Sequence, residues 1–224
     1  MRAEFHGWMP LWVKIGGCKC VVVGAGSVAL RKINLLVDRG ASVHVIAKEA
    51  CQEVEQMAAE GIISLELREV DAKDLQGARL VVVATDIADV NSSVSRWAEQ
   101  QGILCNVVDQ KELCSAVFPA ILKRGRLEVA VSTGGASPAM AARLRDYIGD
   151  CLFPGYEILL DLLTQVRLEI KKMGLSEQNR LELLRNLVDA QVMDACKSGN
   201  EAQLRRLIEM RIKQYSLPEG GKSP

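Results

Sequence analysis

The sequence predicts an α/β fold, in which a doubly wound parallel sheet precedes a small α+β region and a helical C-terminal domain. Three observations support this. Short apolar β-rich runs alternate with helical runs as far as residue 109, a glycine turn follows the first run, and the last third is helical in composition. Strands separated by about a dozen helical residues indicate βαβ units, because parallel strands need long crossovers. Residues 1–113 are therefore predicted to form a Rossmann-type domain.

The predicted elements of this domain follow one another without long loops. The first strand is CKCVVVG at 18–24, and the helix after it has Gly40 as its stop signal. The later predicted elements are the helix 25–38, the strand 42–47, an amphipathic stretch at 49–60, the strands 64–70 and 79–86, the helix 89–101 and the strand 103–109.

The alternation ends after residue 113. Two strand-like runs joined at Gly125 predict a hairpin, and Ser137-Pro138 marks the N-cap and first position of a helix. The predicted segments are the strands 115–124 and 126–133, the helix 138–150, a helical region at 156–214 with breaks at 174–176 and 198–200, and a disordered tail at 217–224. We therefore expect an α+β region at 114–150 and a helical domain at 151–216.

The composition excludes several classes of function. The 224 residues include 28 basic and 28 acidic side chains, so the formal net charge is zero, which argues against binding nucleic acid through bulk charge. Seven cysteines without a CxxC pair indicate reduced thiols. No Cys/His cluster has metal-site spacing, and no apolar run reaches the roughly 18 residues of a membrane span. We expect a cytoplasmic protein with no bound metal, nucleic acid or membrane partner.

The first glycine turn has the pattern of a dinucleotide-binding loop. Gly24-Ala-Gly26-Ser-Val-Ala29 fits GxGxxA, follows a strand and opens a helix, so a pyrophosphate can approach the backbone at the helix N-terminus. The acid that usually ends the second strand of an NAD site is missing, because this strand leads into Lys48-Glu49. Lys48 favours the 2′-phosphate of NADP and Glu49 favours the ribose hydroxyls of NAD, so these residues leave the choice open.

Polar residues follow the fourth and fifth predicted strands. Thr85 and Asp86 end one of them, and Asn106 and Asp109 end the next. Ligands of open α/β sheets bind beyond the carboxyl ends of the strands, so these side chains are expected to face the cofactor. Asp109 comes directly after two apolar residues and is the best-placed carboxylate for proton transfer.

A second turn, VSTGGASP at 131–138, joins a predicted strand to a predicted helix. Its paired glycines allow positive φ, and such turns direct backbone N–H groups at whatever lies in front of them, usually an anion. The sequence thus predicts a second anion-binding corner, far along the chain from the first.

Several ordered motifs resemble the precorrin-2 dehydrogenase and sirohydrochlorin ferrochelatase family, also found as the N-terminal part of siroheme synthase. The likeness runs from Pro10 to about Pro154 and includes MPLWVKIGGCKCVVVGAGSVALRK, VVVATDIADVN, CNVVDQ, FPAILKRGRLEVAVSTGGASP and AARLRDYI. The glycine loop of that family is often GGG, whereas this chain has Ala25 in the middle position, a change that should be tolerated.

The resemblance implies NAD-dependent oxidation of precorrin-2 to sirohydrochlorin, on the path to sirohaem. It implies cofactor contacts at Ser27-Val28 and Lys48-Glu49, Asp109 as the catalytic residue, and a homodimer whose contacts and substrate cleft involve the region 114–150. Precorrin-2 carries several carboxylates, which call for backbone donors and cations. The candidate substrate-binding residues are Asn106, Arg124, Ser132, Thr133, Gly134, Gly135 and Ser137.

Three functional questions stay open at this point. Some relatives also insert ferrous iron into sirohydrochlorin, a step for which Asp109 would be the base. A nucleotide-sensing regulatory module shares the glycine loop, but it normally has the acid that this second strand lacks. A different NAD(P)-dependent dehydrogenase with a helical substrate domain is the remaining alternative.

Overall fold

A computed structural model describes residues 8–216, without the side chain of Ser216, as two compact units. The first unit ends at Phe118 and the second begins at Pro119. The predicted disordered tail at 217–224 lies outside the described residues. The finer division of the chain at residues 113 and 150 stays a prediction. Within the described part of the chain, no helix is both long and apolar enough to cross a membrane.

The first unit contains a five-stranded parallel sheet in the order β3-β2-β1-β4-β5. Its strands are β1 (Lys19–Val23), β2 (Ser42–Ala47), β3 (Ser64–Leu67), β4 (Leu80–Val83) and β5 (Leu104–Val107). Its helices are α1 (Ser27–Val37), α2 (Gln52–Ala59) and α3 (Ala88–Gln100), with short 3₁₀ turns at Ala72–Leu75 and Lys111–Leu113. This sheet confirms the predicted α/β class. The strand order reverses between β1 and β4, which is where such sheets bind ligands.

The apolar runs of the central strands explain why helices cover both faces of this sheet. Successive side chains of a strand point to opposite faces, so Val22 belongs to one buried cluster with Ile33 of α1. Val21 and Val23 belong to the other cluster, with Val94 of α3. A strand that is buried on both faces reads as a continuous apolar run rather than an alternating one.

Between residues 119 and 216, the second unit contains a β-hairpin and five helices. The hairpin strands are β6 (Ala120–Arg124) and β7 (Leu127–Val131), and the helices are α4 (Pro138–Asp150), α5 (Gly155–Lys172), α6 (Glu177–Asn186), α7 (Ala190–Ser198) and α8 (Glu201–Ser216). The last four helices share a core that includes Leu159, Leu183, Val192 and Leu204. Gly155 is needed where α5 begins, because a Cβ there would overlap the carbonyl of Cys196 in α7.

Two details of this unit differ from the sequence-based expectation. The first hairpin strand begins at residue 120 rather than 115, because the backbone N–H groups of Ser115 and Ala116 donate to Cys105 O at 2.9 Å instead of pairing within the hairpin. The helical region also has an unexpected break before α7. Asp189 caps that helix by accepting from Val192 N at 2.9 Å, and the sequence around it holds no glycine or proline to mark the break. The predicted break at 174–176 is confirmed, and Ser176 caps α6 by accepting from Asn179 N at 3.2 Å.

Candidate cofactor site and catalytic loop

The glycine loop lies where three strands of the sheet end. Gly24 has φ +102° and donates its N–H to Ile46 O of β2 at 2.9 Å. A Cβ at this position would overlap the carbonyl of Ala84, just after β4. Only glycine meets both conditions, so the tight turn predicted at residue 24 is required by the packing of β1 between β2 and β4.

The helix that follows this turn begins without a cap of its own. Gly26 is the N-cap of α1 and makes no side-chain cap bond, and the first turn holds no acidic residue. Among residues 8–216 the N–H groups of Ser27, Val28 and Ala29 have no acceptor. A Cβ at Gly26 would meet no atom within 4 Å, so space remains in front of these donors. Open donors at the positive end of a helix fit a pyrophosphate.

The two candidate ribose-binding residues after β2, Lys48 and Glu49, differ in their contacts. Lys48 Nζ lies 2.8 Å from Glu69 Oε1, in a pair exposed to solvent. The hydrogen bond with Glu69 raises the pKa of Lys48, and the same bond lowers the pKa of Glu69. Glu69 thus supplies the negative charge that Lys48 would otherwise find in a 2′-phosphate. Glu49 is exposed beside it.

The residues after β4 form a small network that the sequence did not predict. Thr85 Oγ1 donates to Asn91 Oδ1 at 2.6 Å, and Asn91 Nδ2 donates back to Thr85 O at 3.1 Å. Asn91 is 2% exposed, so this pair fixes the entry into α3 from inside the unit. Asp86, which follows Thr85, is exposed. A polar residue at a buried helix position was the available signal for Asn91, but burial is not visible in a single sequence.

Asp109 lies two residues beyond β5 on an exposed loop. It has φ +60° and is the only non-glycine with positive φ among residues 8–216. Lys32 of α1, which sequence reasoning missed, places its Nζ 4.1 Å from the centre of the Phe118 ring. Burial and then Arg31 lower the pKa of Lys32, whereas Asp109 acts in the opposite direction. The Asp109 carboxylate therefore acts electrostatically on the half-buried Lys32 ammonium, at the carboxyl ends of the strands.

Asn106, predicted to bind substrate, is 7% exposed. Its Nδ2 donates to Ala116 O at 3.0 Å, so its amide is engaged with its own chain. In this position Asn106 supports the loop that carries Asp109. Its role as a substrate ligand stays a prediction.

In the turn at 131–138, the predicted second anion-binding corner, side-chain hydroxyls of the turn accept hydrogen bonds from its own backbone N–H groups. Ser132 Oγ accepts from Gly134 N at 3.2 Å, and Thr133 Oγ1 accepts from Ser137 N at 3.1 Å while donating to Ser137 O at 3.0 Å. Ser137 Oγ in turn caps α4 by accepting from Met140 N at 3.1 Å. Several donors that the sequence assigned to a ligand are therefore used within the turn.

Two further residues of the predicted substrate set lie at opposite ends of the hairpin. Gly135 has φ +85°, and its N–H has no acceptor within the described part of the chain. Arg124 lies at the hairpin tip and donates to Leu152 O at 3.3 Å. Four residues along a strand span about 13 Å, so the hairpin does not bring Arg124 to the turn after β7. Both assignments stay predictions.

Comparison with known proteins places the chain in context. A family model described as "Putative NAD(P)-binding" matches residues 11–120, and one described as "Sirohaem biosynthesis protein central" matches residues 124–150. A siroheme synthase from Methylococcus capsulatus is 35% identical over 90% of this chain, and one from Ectopseudomonas mendocina is 38% identical over 92%. A solved structure, "SirC, precorrin-2 dehydrogenase", has a TM-score of 0.74 and 25% identity.

The chain belongs to the siroheme synthase and precorrin-2 dehydrogenase family. This confirms the resemblance inferred from the motifs, and the matches support NAD as the cofactor of the first unit. The chain spans 42% of the first siroheme synthase and 44% of the second, but it covers all of the solved structure.

Proposed function

We propose that this chain oxidises precorrin-2 to sirohydrochlorin with NAD, as the family resemblance implied. The observation that carries the proposal is that two requirements of the reaction meet at the carboxyl ends of the parallel strands. Uncapped N–H groups at the start of α1 fit a pyrophosphate, and Asp109 lies near Lys32 of the same helix. The likeness to a precorrin-2 dehydrogenase over the whole of that protein supports the same reaction.

Each residue has a defined task in this reaction. Oxidation of precorrin-2 removes two electrons and two hydrogens, and bound NAD supplies the acceptor for one hydride. The backbone donors of Ser27 and Val28 bind the pyrophosphate, and Gly24 lets the chain turn beneath it. Asp109 accepts the proton that leaves the macrocycle, directly or through water. Binding the cofactor and precorrin-2 together at the carboxyl ends of the strands brings the reacting atoms close to one another.

The test is an anaerobic assay of the purified chain with precorrin-2 and either NAD or NADP. We expect sirohydrochlorin and reduced nicotinamide in equal amounts with NAD, and a slower reaction with NADP. Asp109→Asn should lower kcat by roughly 10²- to 10⁴-fold with the Kd for NAD unchanged. Glu112→Gln, an exposed carboxylate of the same loop, is the matched control. A wild-type protein without turnover rejects the proposal, and full kcat in Asp109→Asn rejects the role of that residue.

The turn after β7 is proposed to receive a substrate carboxylate, with the Gly135 N–H as its donor. Ser132→Ala removes the acceptor of Gly134 N and should raise KM for precorrin-2 by roughly tenfold, because the turn loses its shape. Gly135→Ala should raise KM as well, since φ +85° is unfavourable for alanine. An unchanged KM in both variants contradicts this assignment.

A homodimer is proposed from the surface of α4. Met140, Leu144 and Tyr147 are 51%, 42% and 67% exposed and share one face of the helix. Burial of such a stripe against a second copy would stabilise a dimer. Leu144→Glu should shift the mass measured by light scattering from dimer to monomer. Leu168→Glu, on α5 and 61% exposed, should leave the mass unchanged. A wild-type monomer at working concentration contradicts the proposal.

Ferrous iron is proposed as a second substrate, since the exposed Asp109 that accepts a proton in the oxidation also suits removal of pyrrole protons. Anaerobic mixing with ferrous iron and sirohydrochlorin should yield sirohaem in the wild type and much less in Asp109→Asn. No acceleration over the protein-free reaction contradicts this activity.

We also propose that the protein acts in the cytoplasm, because all seven cysteines are free thiols. Thiol labelling of the protein in freshly broken cells should find the accessible cysteines reduced.

A further inference from the structure

The last strand of the sheet, β5, has an edge that no other strand covers within residues 8–216. β5 pairs with β4 on one side only, so every second N–H and C=O along it needs another partner. The chain just after the loop that carries Asp109 supplies some of these partners. Ser115 Oγ accepts from Cys105 N at 2.8 Å, and Cys105 O accepts from the N–H groups of Ser115 and Ala116.

Cys114 does the same two residues further along the strand. Its Sγ accepts from Val107 N at 3.2 Å and lies 3.2 Å from Val107 O and 3.3 Å from Gln110 O. The thiol has one proton, which it donates to one of these two carbonyls. Burial raises the pKa of Cys114 as the largest effect, so the thiol keeps the proton that this bond requires.

These contacts enclose the residue proposed to be catalytic. Val107 and Gln110 lie on either side of Asp109 in the chain, and a single sulfur atom ties both to Cys114. The left-handed conformation of Asp109 is strained for a residue with a Cβ, so contacts around the loop help to hold it. The loop's own Gln110 N to Val107 O bond is long, at 3.4 Å. The thiol is therefore a side-chain restraint that joins the two ends of this loop.

We propose that Cys114 is a positioning residue for Asp109: its thiol closes the loop from Val107 to Gln110 and fixes the direction of the carboxylate. This inference rests on the proposed function, because it gives the thiol a role in the oxidation. A serine is a poor substitute, because its shorter C–O bond moves the donor away from both carbonyls.

The experiment compares Cys114→Ala, Cys114→Ser and the control Cys18→Ala in the precorrin-2 and NAD assay. Cys18 is also a partly buried thiol, but its contact with Lys14 O is 3.8 Å long. We expect Cys114→Ala to lower kcat by about tenfold, because small displacements of a catalytic group are costly. KM and the Kd for NAD should stay unchanged. Cys114→Ser should fall between Cys114→Ala and the wild type, and Cys18→Ala should match the wild type.

A double variant separates positioning from a general loss of stability. In an Asp109→Asn background, Cys114→Ala should cause no further loss of kcat, because the carboxylate that it positions is gone. A further tenfold loss there, or a full kcat in Cys114→Ala alone, overturns the proposal.

Amide hydrogen exchange tests the same contact without turnover. Exchange at Val107 should be faster in Cys114→Ala than in the wild type and unchanged in Cys18→Ala. If the wild type fails to oxidise precorrin-2, the proposed function is rejected; loss of protection at Val107 then still supports the clamp of the loop, and retained protection overturns it.

Discussion

The starts of α1 and α4 look alike in sequence and differ in the structure. Both follow a strand and a paired-glycine or GxG turn, and both were predicted to bind anions. The N-cap of α1 is Gly26, which makes no side-chain cap bond, so the first N–H groups of the helix have no acceptor in the described chain. The N-cap of α4 is Ser137, whose hydroxyl accepts from Met140 N, and Pro138 occupies the first helical position without any N–H to satisfy.

This difference shows how to distinguish a helix start that can bind a ligand from one whose N–H groups are bonded within the chain. A glycine N-cap leaves its donors open, and a phosphate can then satisfy several of them at once. A serine N-cap with a threonine behind it satisfies some of its donors internally, which stabilises the helix whether or not a ligand is present. Substitution of a glycine N-cap of the first kind should therefore change affinity, and substitution of a serine N-cap of the second kind should change stability.

The largest effect is expected when the α1 start is given the cap that α4 has. Gly26 has φ −85° and ψ −172°, which any residue can adopt, and the space around it admits a side chain. Gly26→Ser should leave thermal stability equal or slightly higher, since serine and glycine caps differ by only a few tenths of a kcal/mol. The Kd for NAD should rise by roughly 100-fold, about 3 kcal/mol, because the hydroxyl takes the donors and the space of the pyrophosphate. Isothermal titration calorimetry with NAD measures the Kd of the wild type and of Gly26→Ser.

The reciprocal change, Ser137→Gly, is the control. It should alter stability by only a few tenths of a kcal/mol and leave the Kd for NAD unchanged. Tight NAD binding in Gly26→Ser would show that the open donors at α1 are not the pyrophosphate site.

A third helix start also has its N–H groups bonded by side chains of its own segment, as at α4. At the 3₁₀ turn Ala72–Leu75, Asp71 accepts from Lys73 N and Asp74 accepts from Asp71 N, and Arg68 holds Asp74 with two bonds of 2.7 and 2.8 Å. Asp74→Asn should lower the free energy of unfolding by roughly 2 kcal/mol, because the charge-assisted bonds are lost. Chemical denaturation measures this. Glu66→Gln, which removes an exposed contact to Arg68, should cost less than about 0.5 kcal/mol.

The same carboxylate sets a pH dependence. The Arg68 hydrogen bond, as the largest effect, lowers the pKa of Asp74 below its usual value of about 3.9. Its stabilisation is therefore complete above that value and is lost as the pH falls through the lower folded-state pKa. Stability should decline less steeply on acidification in Asp74→Asn than in the wild type. Equal slopes below pH ~4 would contradict the assignment.

The smallest effect is expected at α4. Ser137→Ala removes the cap and should lower the free energy of unfolding by about 1 kcal/mol, with KM for precorrin-2 and the Kd for NAD unchanged. Thermal denaturation and steady-state kinetics check the two halves of this prediction. An increase in KM without a loss of stability would move Ser137 into the substrate site and would weaken the comparison between the two helix starts.

Much of the first unit was predictable because its signals are local. The run at 18–24, the glycines after it and the helix that they open lie within one stretch of chain, and the structure places them as predicted. Asp109 was also identified as the carboxylate that follows β5. Lys32, Asn91 and Cys114 were missed, because each acquires its role from a partner that lies elsewhere in the sequence: Phe118, Thr85 and Val107.

By itself, the sequence determined the strands and helices of the sheet domain, the glycine loop and the family. These follow from side-chain periodicity and from residue types that only certain backbone conformations accept. Only the tertiary structure decided that β5 is an edge strand among residues 8–216, with hydrogen bonds to Cys114 and Ser115, and that Ser137 caps Met140 N at the start of α4. A hydrogen bond depends on distance and direction between two groups, and those are defined only once the chain has folded.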